Sequence, residues 1–165
     1  MCDHTAMIEA RQGGPADAPE LMRLRKVMID SAGGEPAPAG EWQDAGIAIL
    51  GERLGDPAGP LAAFVVDRPD GPGLAACVVG AIDRRLPSPD NPGGLRGYVY
   101  NVATDPGYRR RGYSRACMTA LIAWYARRGV DVIGLRASPD GEPLYASLGF
   151  RRTKDPAMRL VIPGR

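Results

Sequence analysis

Residues 105–114, DPGYRRRGYS, gather the groups in this chain best suited to holding a phosphate. Arg109, Arg110 and Arg111 carry full positive charges on forked donors that match phosphate oxygens. At Gly112 a ligand can approach the backbone without meeting a Cβ. Tyr113, Cys117, Ala120, Leu121 and Trp124 then recur at helical spacing, so a helix begins just behind the turn. Its first N–H groups lack intrahelical partners, and its dipole adds partial positive charge there. A phosphate at that point would accept from several N–H groups at once. The same residues would also make a solvated basic turn ahead of a core helix, and the turn alone leaves both readings open.

A second segment narrows the choice through a resemblance. Residues 106–114, PGYRRRGYS, look like the acetyl-CoA pyrophosphate loop of the GCN5-related N-acetyltransferases (GNAT), which usually reads Arg/Gln-x-x-Gly-x-Gly/Ala between a strand and a helix. Arg109 fills the first place and Gly112 the fourth. Ser114 stands where Gly or Ala is usual, which implies less room against the pyrophosphate. Residues 144–150, LYASLGF, are similar to the family's Leu-Tyr-x-x-x-Gly-Phe. Two motifs in the right order and spacing are far more specific than either alone. The resemblance covers residues 61–163 well and the earlier part loosely.

The resemblance implies a mixed α/β, GNAT-like acyl-CoA N-acyltransferase fold with a mainly antiparallel sheet flanked by helices. It implies transfer of acetyl from acetyl-CoA to a primary amine of a small molecule or an exposed amino group of a protein. By position, main-chain groups of Val102, Ala103 and Thr104, on a strand splayed from its neighbour, would bind pantetheine and the acetyl carbonyl. The amides of Arg110, Arg111, Gly112, Tyr113, Ser114 and Arg115 would hold the pyrophosphate beside Arg109. Ser138 stands where many relatives carry an Asn on the cofactor arm, although a turn-forming Ser before Pro139 reads the same way. Tyr145 matches the tyrosine that protonates the leaving thiolate, and a phenol is protonated at neutral pH. Tyr98 occupies the place of a catalytic Glu in histone-modifying relatives, where a phenol is a poor base. Asp83, Glu41 or Asn101 could instead position a water that takes the proton. The competing reading is a catalytically silent acyl-CoA-binding or sensor domain on the same fold. Relatives are often dimers, which makes a homodimer a candidate while the oligomeric state stays open.

The elements that must position these groups follow from pattern. Residues 97–104 are rich in Tyr and Val, as a strand requires, and Asp105-Pro106-Gly107 ends it. Residues 7–11 predict a short first strand. Asp17, Pro19 and Glu20 open a helix over 18–31, with Leu21, Leu24, Val27 and Met28 as its apolar stripe. Residues 31–40 make a Gly/Pro/Ala linker, and 41–54 a second helix. By resemblance this region walls the acceptor site, which makes Glu41, Trp42 and Asp44 substrate candidates, with a core role for Trp42 equally open. Residues 61–66 and 74–82 predict strands of a hairpin, and the 84–96 loop borders the acceptor site. A strand over 130–137, a helix over 142–148 and strands over 150–153 and 158–162 complete the order β-α-α-β-β-β-α-β-α-β-β.

Length predicts one domain over residues 1–165, with 1–6 a loose tail, large enough to bury about two thirds of its unfolded surface. Hydrophobic content of 44% is that of a folded globular chain, and a net charge of +2 argues against a dedicated nucleic-acid binder. Cys2, Cys77 and Cys117 form no CxxC pair, and the two later ones read as buried thiols. His4 is the sole histidine, so neither a metal site nor a Cys–His nucleophile is expected. No signal segment or long apolar span appears, which predicts a soluble cytoplasmic protein that does not engage a membrane.

Overall fold

The computed structural model describes residues 7–164; Cys2, His4 and the tail expected over 1–6 lie outside them. In chain order the elements are β1 (Arg11–Gln12), α1 (Ala18–Ser31), α2 (Glu41–Arg53), β2 (Leu61–Asp67), β3 (Leu74–Arg84), β4 (Leu95–Thr104), α3 (Tyr113–Arg127), β5 (Val132–Leu135) and α4 (Glu142–Ser147). Short 3-10 turns at Pro15–Asp17 and Pro106–Tyr108 precede α1 and α3. The strands form one sheet in the order β1-β2-β3-β4-β5. The first three pairings are antiparallel and β4–β5 is parallel, so the fold is mixed α/β as the motifs imply.

The strand patterns explain the layering. The first six residues of β2 and the first eight of β3 are buried on both faces and read as unbroken apolar runs. α1 and α2 cover one face, where Leu21, Leu24, Leu50, Val65, Cys77 and Val79 meet. α3 and α4 cover the other with Cys117, Met118, Leu121, Trp124, Tyr125 and Tyr145. Each fully buried leucine contributes about 1.5–3 kcal/mol of transfer free energy.

Tyr125 sets where α3 lies, because two glycines leave room for its ring. A Cβ on Gly97 would stand 2.7 Å from that ring, and one on Gly80 would strike its hydroxyl. That hydroxyl is shared between Tyr98 O at 2.9 Å and Ala81 O at 3.1 Å. Gly97→Ala is therefore expected to destabilise the fold by about 1–3 kcal/mol through overpacking, read as a lower denaturation midpoint at unchanged slope.

Four expectations need correction. The first strand is two residues, Arg11–Gln12, facing Val65 and Phe64, and residues 7–10 lie outside it. The strand expected over 130–137 shrinks to Val132–Leu135, the part that has β4 beside it. The strands expected over 150–153 and 158–162 do not form. Local pattern identifies residues fit for a strand, but a ladder needs a neighbour, and residues 151–164 find no backbone–backbone hydrogen bond among the described residues. Met158, Leu160, Val161 and Ile162 stand 92%, 87%, 71% and 68% exposed. The 84–96 loop is also shorter than expected. β3 and β4 extend to Arg84 and Leu95, and the turn between them is closed by a Ser88–Asn91 bridge and by Arg85 N–H donating to Gly94 O at 2.8 Å.

Candidate active site

β4 pairs with β5 over only four residues, Arg96 to Val99 against Val132 to Leu135, yet stays paired with β3 as far as Thr104. Residues 100–104 therefore carry one open edge. Gly80 faces Val99 and Val79 faces Asn101, which leaves Tyr100 as the extra residue of a β-bulge. Beyond the bulge, direction can be read from one bond, Asp105 N–H donating to Ala75 O at 2.8 Å. Main-chain groups alternate sides along a strand. Asn101 and Ala103 thus point at β3, while Val102 and Thr104 present their N–H and C=O to the opening. Of the three residues expected on this strand, the geometry brings two to the cleft; Ala103 is turned into the sheet.

The turn that follows is built to leave donors free. Asp105 is ion-paired to Arg23 at 3.1 Å and to Arg68, which ties the start of the turn to α1 and to the β2–β3 connection. Tyr108 lies under both Arg68 and Arg111, with guanidinium-to-ring distances of 5.7 and 5.2 Å, and its hydroxyl donates to Asp70. Arg110 and Gly112 then adopt φ of 61° and 82°, in the left-handed region. The first regular bond of α3 is Ala116 N–H to Gly112 O, at 3.1 Å. No described residue accepts from the N–H groups of residues 110–115. A concave row of unpaired amides at a helix start is an anion cradle, and it fits a diphosphate.

The arginine side chains are deployed less freely than their number suggests. Arg109 donates to Ser31 Oγ at 3.2 Å and Thr104 O at 3.4 Å, and Arg115 donates to Ser147 Oγ at 2.8 Å. With Arg111 on Tyr108, only Arg110 of the four has no side-chain partner among the described residues. Their charge still reaches the cradle, but mainly as a field. Ser114 hydrogen-bonds the Thr104 hydroxyl, so its Oγ links α3 to β4.

Behind the turn, Glu20 bonds Arg23 and accepts Leu74 N–H at 2.8 Å. Burial works against the charged Glu20 carboxyl, yet these partners hold it below the ordinary glutamate range. Such a group stabilises the fold above its unfolded pKa of about 4.3 and loses that contribution as pH falls through the lower folded value. Glu20→Gln should therefore be less stable than the parent at neutral pH. In urea titrations across pH, the gap should close in acid.

On the far side of the opening, β5 leads into a turn and α4. Tyr145 is 9% exposed, packs edge-on against Phe150 at 6.1 Å between centroids, and shares its apolar cluster with Val102, Tyr113 and Leu135. Burial raises its pKa above that of an ordinary phenol, so it is held protonated. Its hydroxyl has no hydrogen-bond partner among the described residues. Ser138 Oγ and O both accept from Gly141 N–H, at 3.2 and 3.1 Å, and Ser138 O also accepts from Glu142 N–H. Ser138 is thus engaged in the turn that starts α4.

The base candidates separate. Asp83 and Tyr98 share a cleft of about 220 Å³ with Ala81, Arg85 and Tyr100, and Asp83 is ion-paired to Arg85 at 3.1 Å. Glu41 is the first residue of α2. Asn101 is buried, its Nδ2 3.6 Å from Cys77 Sγ and its Oδ1 without a partner among the described residues. Sequence reasoning missed Tyr100, which the alternation of β4 sets on the same face as Tyr98, and Arg85, which only the hairpin register brings there. It also missed Tyr125, whose i+4 spacing from Leu121 and i+8 spacing from Cys117 was available as a signal.

Known proteins match the chain across these same parts. The acetyltransferase (GNAT) family model matches residues 27–150. A GCN5-related N-acetyltransferase from Ralstonia eutropha JMP134, known from a crystal structure, is 28% identical with a TM-score of 0.79, covering 92% of this chain and 97% of its own. A predicted acetyltransferase from Clostridium acetobutylicum, crystallised with acetyl-CoA, shares the fold at a TM-score of 0.79 and 22% identity, over 92% of this chain and 95% of that one. The ribosomal protein bS18-alanine N-acetyltransferase of Haemophilus ducreyi is 32% identical over 57 residues, 33% of this chain; the match spans 39% of that relative's length. With three quarters of its length matched, and with a free-amide loop and an open strand edge where the motifs led, the chain belongs to the acetyltransferase (GNAT) family.

Proposed function

We propose that the chain is one acetyltransferase domain that moves the acetyl group of acetyl-CoA to a primary amine by direct attack in a ternary complex. The observation that carries this reading is the continuity of donors, from the unpaired amides of residues 110–115 to the open edge at Val102 and Thr104. A diphosphate on the first and a pantetheine arm along the second would aim the thioester at the bulge. The incoming amine attacks the acetyl carbon as the neutral species, and negative charge develops on the carbonyl oxygen. A main-chain N–H of the open edge stabilises that charge. As the C–S bond breaks, Tyr145 gives its proton to the departing thiolate. The ammonium proton leaves through water on the side of Asp83.

The acceptor side carries Asp83, Tyr98 and Tyr100, a combination that suits an amine arriving as a cation, on a small molecule or at a protein N-terminus. Acetyl-CoA is a cytoplasmic metabolite, and a cytoplasmic homodimer goes with the reading. Calorimetry with acetyl-CoA, followed by free-thiol release across amines that include a peptide with N-terminal alanine, tests it. Binding together with acceptor-dependent thiol release is the expected result. Binding without release would mean a silent acyl-CoA sensor instead.

A further inference from the structure

At the far end of the cleft that holds Tyr98 and Tyr100, one guanidinium is fixed in place and left half used. Arg85 follows β3, and its backbone N–H donates to Gly94 O at 2.8 Å. A Cβ on Gly94 would strike Arg85 O, so the two sides of the hairpin meet as closely as glycine allows. The side chain is tied as well, with Arg85 Nε donating to Asp83 Oδ2 at 3.1 Å. Its two terminal nitrogens have no partner among the described residues, and the side chain is 56% exposed. A guanidinium held through Nε presents its other edge as a two-pronged donor, which suits a carboxylate. Arg84 and Arg96 stand beside the pair, so positive charge outweighs the two carboxylates, Asp83 and Asp90, at this end.

The floor between that edge and the bulge is aromatic. The Tyr98 and Tyr100 rings stand 5.0 Å apart, tilted by 59°, and Tyr100 is 55% exposed. Register sets the length of the floor. Val79 faces Asn101 at the bulge, and Asp83 faces Arg96, four residues further along β3. At a rise of about 3.4 Å per residue the span is about 14 Å. An extended chain of about four residues covers that distance.

We infer that Arg85 selects the acceptor, a peptide amino terminus laid in extended form over Tyr100 and Tyr98. Its amine stands at the bulge, and a carboxylate at its third or fourth residue sits on the free edge of Arg85. That carboxylate is an acidic side chain or the carboxy terminus of a short peptide. The inference rests on the acetyl-transfer reading and adds to it which amine is chosen.

The test uses acetyl-CoA and amidated pentapeptides that begin with alanine and carry one Glu, Gln or Lys at a later position. Free-thiol release is expected to be fastest for Glu at the third or fourth position, with kcat/KM about tenfold above the matching Gln peptide. Salt at about 1 M should shrink that ratio, because the guanidinium is exposed to solvent. Arg85→Ala should bring the ratio close to one, and Arg85→Glu should turn the preference to Lys at the same positions. Tetra-alanine as the free acid, compared with its amide, reports the second source of carboxylate, and a gain in either series supports the inference. A ratio near one in both series, a parent that prefers Lys, or a preference that survives Arg85→Ala would overturn it and leave acetyl transfer standing. No thiol release with any amine would remove the acetyl-transfer reading, and this inference with it.

Discussion

Gly112→Asp is expected to weaken acetyl-CoA binding by at least about 100-fold, a loss of roughly 2.7 kcal/mol in binding free energy. Two effects combine at this position. Gly112 has φ of 82°, where an L side chain costs about 1–2 kcal/mol per residue. The larger effect is on the ligand. The carboxylate would stand among the unpaired amides of residues 110–115, competing for them and repelling the diphosphate. Space is not the issue, since among the described residues a Cβ there meets only Ile8 Cδ1, at 3.5 Å, an ordinary contact. Gly112→Asn separates the two effects, because Asn tolerates the left-handed conformation and carries no charge. Calorimetry should rank the parent tightest, Asn intermediate and Asp weakest. If Asp bound acetyl-CoA as the parent does, the diphosphate would have to lie elsewhere.

What could be read from the sequence divides along a physical line. Elements whose signals are local were legible: α1 from its N-terminal Pro and apolar stripe, α3 from its spacing, and the turn at Asp105 from Pro and Gly. The phosphate-binding turn was legible for the same reason, since amides left free by a helix start belong to ten consecutive residues. Contacts that join distant segments were not. Nothing near Asp105 announces Arg23 and Arg68, and nothing near Tyr98 announces that the Tyr125 hydroxyl will reach its carbonyl. The bulge at Tyr100 arises from the registry of β4 against β3, which neither strand encodes alone. The C-terminal strands failed for a related reason. Residues 158–162 have the composition of a strand, but whether they pair is decided by the location of a free edge.

The same division bears on Tyr145, which the motif identified and the fold surrounds with apolar groups. Tyr145→Phe is expected to lower kcat about 100-fold, in the range typical of a lost general acid, while the Kd for acetyl-CoA stays within twofold. The substitution is clean because the hydroxyl has no protein partner among the described residues, so Phe breaks no hydrogen bond and the unfolding midpoint should not move. A second readout separates proton donation from packing. Burial raises the Tyr145 pKa, so the phenol remains a donor through neutral pH and loses its proton only above the ordinary value of about 10. The parent's rate should therefore rise with pH as the amine deprotonates and then fall on an alkaline limb above 10. In the Phe variant that limb should vanish, because no donor remains to be ionised. Unchanged turnover, or an alkaline limb that persists in the variant, would take Tyr145 out of the proton path and leave the thiolate to be quenched by water.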